Sequence, residues 1–172
     1  MEEIINLVDE KGNRIGEIEK MKAHVEGKLH EAFSIFVFNN KNELLLQRRA
    51  HHKYHSGGLL TNTCCSHPRV GENLEAATHR RLIEEMGFDC ELKRNRVFSY
   101  RADNVGNSLI ENEFDYLFFG HMNDDVVILP NPDEVAECKW MSLDSIKSDI
   151  VEKHENYTAW FKMIIGSGAL EK

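Results

Sequence analysis

Cys64, Cys65 and His67 stand almost side by side in "TNTCCSHPRVGE", residues 61–72. Such a cluster can serve as a metal site, half of a disulfide framework, a nucleophile with its base, or a buried strand end. Disulfide geometry needs α-carbons about 4.4–6.8 Å apart with suitable vectors, so neighbouring cysteines rarely bridge. The other cysteines, Cys90 and Cys138, add no spaced framework of the secreted kind. A second group lies in "ENEFDYLF". Alternate residues of a strand share a face, so Glu111 and Glu113 point the same way, with Asp115 beyond them. The following Leu117, Phe118 and Phe119 carry this strand into a core. Paired carboxylates there repel each other unless a cation or a shared proton compensates. His24, His30 and His67 add imidazoles, although the spacing of the first two is no standard zinc signature. Together with Glu111 and Glu113 they make an octahedral N/O set suited to Mn²⁺, Mg²⁺ or Zn²⁺. A solvated strand edge and scattered structural histidines are the ordinary alternatives.

The elements that must position these groups follow from the pattern. "EIINLVD" and "RIGEIEK" flank Lys11-Gly12-Asn13 and predict a hairpin. "EAFSIFVFN" is aromatic and β-branched, a buried strand, and turns at Asn39–Asn42 into a second strand, "ELLLQRR". Glu72–Met86 predicts a helix closed by Gly87. "RVFSYRA", "ENEFDYLFFGH" and "EVAECKWMSL" predict strands, and "LDSIKSDIVEKH" and "YTAWFKMII" helices. Strands around one central helix, then terminal helices, give a mixed-sheet α/β or α+β fold. The 172 residues suit one domain spanning 1–172, and nothing marks a boundary. Lys plus Arg is 21 and Asp plus Glu is 29, a net charge of −8, which argues against a nucleic-acid-coating protein. There is no basic and apolar leader and no apolar run approaching the ~18 residues of a membrane span. A reduced, cytoplasmic protein is expected, as a monomer or a dimer, binding neither nucleic acid nor membrane.

On the central helix Arg80 and Glu84, and Arg81 and Glu85, stand one turn apart. Surface ion pairing is the default reading. Glu72 at the start and Glu84-Glu85 at the end can also aim carboxylates at one divalent cation shared with a substrate phosphate. This stretch resembles the Nudix box of diphosphate-handling enzymes through Glu72, Arg80, Glu84, Glu85 and Gly87. It departs at Ser66, where the box opens on Gly, and at Arg81, where the box has Glu. In Nudix hydrolases that Glu belongs to the metal set that activates water.

Beyond the helix, "LVDEKGNRIGEIEK", "AHVEGKLHEAFS", "LLLQRRA", "KYHSGGLLTNTCCSHP", "SYRA", "ENEFDY" and "YTAWF" are similar, in order, to type 1 isopentenyl-diphosphate Δ-isomerases. The resemblance implies a Nudix-type mixed β-sheet sandwiched between helices. It implies conversion of isopentenyl diphosphate to dimethylallyl diphosphate by protonation and deprotonation, with Cys65 and Glu113 as the catalytic pair and Tyr100 lining the reacting centre. Cys64 is then a packing residue. The implied metal set is His24, His30, His67, Glu111 and Glu113, holding Mn²⁺, Mg²⁺ or Zn²⁺, with Glu85 contacting a second Mg²⁺ that bridges the diphosphate. Lys20, Arg49 (or Arg48), Lys53 and Arg80 match basic residues near the diphosphate, and Trp160 an aromatic near the allylic group. Many members carry Trp where this chain has Leu60, so a smaller apolar wall is expected there. The competing readings are a Nudix hydrolase of nucleoside or isoprenoid diphosphates and a non-enzymatic metal- or nucleotide-binding module.

Overall fold

The structure, a computed structural model, describes residues 3–123 and 125–171. Strands β1 (Ile4–Val8) and β2 (Arg14–Glu19) form the expected hairpin. Asp9 ties its turn by accepting from the Lys11 and Asn13 amides, each at 2.9 Å. Gly12 has φ of 80°, and a Cβ there would meet the Phe114 ring at 2.5 Å, so conformation and packing both require glycine. Next comes α1 (Lys20–Glu26), a short helix that the sequence pattern does not announce. The Glu19 carboxylate caps it by accepting from the Met21 and Lys22 amides, and Gly27 ends it in the left-handed conformation.

β3 (His30–Phe38) and β4 (Glu43–Arg49) flank the expected turn, and β5 (Leu60–Thr61) and β6 (Cys64–Ser66) are short. The central helix α2 runs Leu74–Met86. It begins after the expected Glu72 because Asn73 is the cap, accepting from the Ala76 amide at 3.0 Å. Strands β7 (Leu92–Ala102), β8 (Glu111–His121) and β9 (Val135–Ser142) follow, then helices α3 (Leu143–Glu152) and α4 (Ala159–Gly166).

β3 is the hub of the mixed sheet. β8 runs parallel along one edge of it, from His30↔Glu113 to Phe38↔His121. The other edge meets β1, β6 and β4 in turn. β7 lies antiparallel to β8, and β9 antiparallel to β4. Phe36, Leu44, Leu46 and Leu117 form one core with Ile146 of α3 and Phe161 and Ile164 of α4. Phe33, Ile35, Val37 and Phe118 form the other with Leu74, Ala77, Leu82 and Met86 of α2. The alternation along β3 thus feeds two opposite cores, which is why this strand is apolar on both faces. The result is the sheet between helices that the sequence predicts.

Candidate metal and proton-transfer site

The register sorts the residues. Cys65 is the Cα partner of Ser34 on β3, and Cys64 the partner of Ile35. Cys64 is fully buried in the α2-side core, whereas Cys65 packs with the α3/α4-side core. On the Cys65 face, His30 is the partner of Glu113, and Glu113 is in turn the partner of Tyr100 on β7. Four sequence regions thus deliver Cys65, His30, Glu113 and Tyr100 to one side of one sheet. All four cysteines are unpaired.

His24 comes from α1 and His67 from just after β6. His24 Nδ1–H donates to the Lys20 carbonyl at 2.7 Å, and His30 Nδ1–H to the Lys28 carbonyl at 2.8 Å. Each ring therefore presents a bare Nε2 inward. His24 Nε2 faces Glu111 Oε2 at 3.5 Å, and His30 Nε2 faces Glu113 Oε1 at 3.6 Å. His67 Nε2 lies 3.1 Å from the same Glu113 oxygen. His24 Nε2, His30 Nε2 and Glu111 Oε2 are buried without a hydrogen-bond partner. Lone pairs facing carboxylate oxygens in a dry site repel, and a divalent cation among His24, His30, His67 and Glu113 would relieve that repulsion, with Glu111 grouped separately with His24 and His55. The residues present fit such an ion, and His24, His30, His67 and Glu113 bring their ligand atoms within 4.8 Å of one another.

The electrostatics agree at every group but His24. Burial pushes the Glu111 carboxyl up, but the imidazoles of His24 and His55 reverse this and hold it well below the usual range. Burial and the Glu111 charge push Glu113 up, and His30 and His67 outweigh them, so it too stays ionised. Burial drives His67 down to about 4, stronger than the opposing pull of Glu113, which leaves a neutral imidazole fit to ligate. At His24 burial opposes charge, but Glu111 prevails and the pKa rises. Burial, with Glu113 adding to it, lifts the Asp115 carboxyl well above its ordinary value, and its Oδ2 accepts from Ser34 Oγ at 2.8 Å.

Tyr100 Oη donates to Glu113 Oε2 at 2.7 Å, which leaves Oε1 for the histidine side. Burial raises the Cys65 thiol pKa far beyond its ordinary value, the pull of Arg49 notwithstanding, so the sulfur keeps its proton. Both side chains line one cavity with His67, Glu111, Trp160 and four cations, Lys20, Arg49, Lys53 and Arg81. Arg49 sits 5.4 Å over the Trp160 ring. Lys53 pairs with Glu134.

Three placements differ from the sequence reading. Arg80 is turned away from the cavity and held by Glu72 at 2.6 Å and Glu84 at 3.1 Å; its neighbour Arg81 lines the cavity instead. Glu72 and Glu84 are taken up by these arginines, so only Glu85 of the helix carboxylates reaches the cavity. Glu85 already accepts from Arg81 at 2.5 Å and from Gln47 at 2.8 Å, so a Mg²⁺ there has to share or displace a donor. Leu60 packs in the α3/α4-side core beside Tyr157, its isolated bridge partner. The sequence reading missed His55, buried with Nε2 3.0 Å from Glu111 Oε1, and Tyr54, whose ring lies under Lys20 Nζ at 5.5 Å. Their only signal was the cluster of basic and aromatic residues in "RRAHHKYH".

The family described as NUDIX domain matches residues 28–161. Isopentenyl-diphosphate Delta-isomerase 2 of Photorhabdus laumondii is 54% identical over 165 residues, covering 96% of this chain and 92% of the relative. Isopentenyl-diphosphate Delta-isomerase of Pectobacterium atrosepticum is 47% identical over 157 residues, covering 91% and 86%. Among solved structures, DR0079 from Deinococcus radiodurans has a TM-score of 0.76 at 18% identity, covering 96% of this chain and 98% of its own; at that identity it shares the fold. A relationship this close over nearly the full length of both sequences means that the chain belongs to the NUDIX family and, within it, to the family of the isopentenyl-diphosphate Delta-isomerases.

Proposed function

We propose that the chain converts isopentenyl diphosphate to dimethylallyl diphosphate. The observation that carries this reading is the meeting of a protonated thiol, Cys65, with a hydrogen-bonded carboxylate, Glu113, in a cavity lined by cations. Moving a double bond adds a proton at one carbon and removes one at another, and an acid–base pair on a single buried face suits that exchange. The names of relatives at 42–54% identity support the same substrate.

Lys20, Arg49, Lys53 and Arg81 bind the diphosphate and fix the alkene beyond it against Cys65 and Glu113. One of the pair delivers a proton to the terminal carbon, and the other accepts one from the allylic carbon, so the proton count is unchanged. Tyr100 holds Glu113 in place through Oε2. The faces of Tyr100 and Trp160 steady the tertiary cation by cation–π attraction, about 2 kcal/mol or more when desolvated. His24, His30, His67, Glu111 and Glu113 would hold a divalent ion, which would supply positive charge beside Glu113 and so tune that carboxylate's proton affinity. Arg81 stands where a hydrolase carries the helix carboxylate that readies water, and its ion pair with Glu85 engages the neighbouring carboxylate as well.

The test is turnover of isopentenyl diphosphate with Mg²⁺ in D₂O. Dimethylallyl diphosphate carrying deuterium is expected, with no phosphate released above a no-enzyme control. Phosphate without alkene migration would replace the isomerase with a hydrolase. Migration without deuterium would rule out an exchangeable donor such as Cys65.

A further inference from the structure

We propose that His55 is a positioning residue of the metal cluster: its Nε2–H donates to Glu111 Oε1 and so turns Glu111 Oε2 toward His24 and the ion. The inference rests on the metal site proposed above.

The distances separate His55 from the ligands. Ligand atoms of His24, His30, His67 and Glu113 form one mutually close group, while His55 joins only His24 and Glu111. An imidazole Nε2 offers one lone pair, so His24 cannot serve an ion in each group at once. At bond lengths of about 2.0–2.2 Å, two ligands of one ion lie no more than roughly 4.4 Å apart. An ion seated on the larger group is therefore out of reach of His55. Glu111 lies outside the larger group as well, but its two oxygens meet different rings: Oε2 lies 3.5 Å from His24 Nε2 and Oε1 lies 3.0 Å from His55 Nε2, so the His55 contact sets how Oε2 is turned toward the ion. Carboxylate ligands of metals are commonly oriented by such outer hydrogen bonds.

The backbone around His55 is built for this. Asn107 Nδ2 donates to the Tyr54 carbonyl at 2.7 Å, and Ser56 Oγ donates to the Val105 carbonyl at 3.0 Å. The residues on both sides of His55 are thus pinned to the connection between β7, which carries Tyr100, and β8, which carries Glu111. That connection holds Asn104, Gly106, Asn107 and Ser108 at positive φ, a conformation kept only where its surroundings demand it. The His55 ring is wedged edge-on against Tyr54 at 4.4 Å and Trp160 at 5.8 Å. It cannot swing from Glu111 without disturbing the wall that Trp160 provides.

Mn²⁺ titration of metal-stripped wild type, His55→Ala and His55→Gln, read by the electron paramagnetic resonance of free Mn²⁺, tests the role. Affinity should fall about 10–100-fold in His55→Ala, the usual effect of losing an outer-shell partner. His55→Gln should recover most of it, since its amide donates in the same direction. Nitrogen hyperfine spectra should count the same three imidazoles on Mn²⁺ in wild type and His55→Ala. Circular dichroism and thermal midpoints establish that both variants fold. Unchanged affinity in His55→Ala, no recovery in a folded His55→Gln, or one imidazole fewer in His55→Ala overturns the proposal; the last makes His55 a ligand. A wild type that binds no Mn²⁺ overturns the metal reading itself, and this inference with it.

Discussion

Tyr100→Phe removes one oxygen from the site and leaves the ring. The lost hydroxyl is the donor to Glu113 Oε2 at 2.7 Å, from a residue only 7% exposed. Burial, reinforced by the Glu113 charge, lifts the phenol pKa far above its ordinary value, so it remains a donor at every working pH. The ring keeps its stacking on Phe98, with centroids 6.0 Å apart, and the strand pairing is untouched. A hydrogen bond to a charged group is worth about 1.5–3 kcal/mol. At about 1.4 kcal/mol per factor of ten, its loss predicts a roughly 10- to 150-fold fall in activity. The fall should appear in kcat, because the bond orients the proton-exchanging carboxylate and touches no part of the diphosphate. Product formation followed by proton NMR, with the thermal midpoint and Mn²⁺ affinity as controls, gives the answer. A folded Tyr100→Phe with kcat within threefold of wild type would refute the role given to this bond.

Cys65→Ala should abolish isomerisation and stay folded, whereas Cys64→Ala should keep most activity and lose about 1 kcal/mol of stability to a small cavity beneath α2; if the active variant proves to be Cys65→Ala, the face assignment is wrong. Wild type after extensive dialysis should retain one divalent ion per chain by elemental analysis, and the His24→Ala, His67→Ala double variant should retain none; equal content would remove the site. Arg81→Ala should weaken substrate binding at least tenfold, and Arg80→Ala should leave KM within twofold, as steady-state kinetics would reveal. Arg80 matters to stability instead: its hydrogen bond holds the Glu72 carboxyl below its usual 4.5, so that contribution is present above pH 4.5 and is lost as pH falls through the lowered value. Acid titration of Arg80→Ala should flatten that limb, by about 1 kcal/mol or less for a half-buried pair at the surface.

Much of this was legible in the chain. β3 announces itself through an aromatic and β-branched run, β4 and β8 through their leucines and aromatics, and α2 through its helix formers and Gly87. α1 does not, since a seven-residue helix holds too few periods for a pattern; its end, Gly27, and its cap, Glu19, matter more than its composition. The choice between Arg80 and Arg81 was open to a closer reading. Thr78, Leu82 and Glu85 are buried, and Arg81 lies three after Thr78 and four before Glu85 on that stripe, while Arg80 falls outside it. No local pattern says that His30 will face Glu113, because strand register is a property of the whole sheet. His55 escaped for a related reason: it sits in no regular element and is placed by Asn107 and Ser56 contacts to a loop far along the chain.

Parallel strands cannot be joined by a tight turn, and between β3 and β8 the chain must lay down β4, β5, β6, α2 and β7. Contacts this distant form slowly, because loop closure costs entropy before the contact offsets it. His24 and His30 come early in the chain and Glu111 and Glu113 late, so the imidazoles have no carboxylates to face until this seam has closed. On the metal reading proposed above, a divalent ion would therefore meet a sheet already assembled, and would act as a clasp across its seam rather than as a template for it.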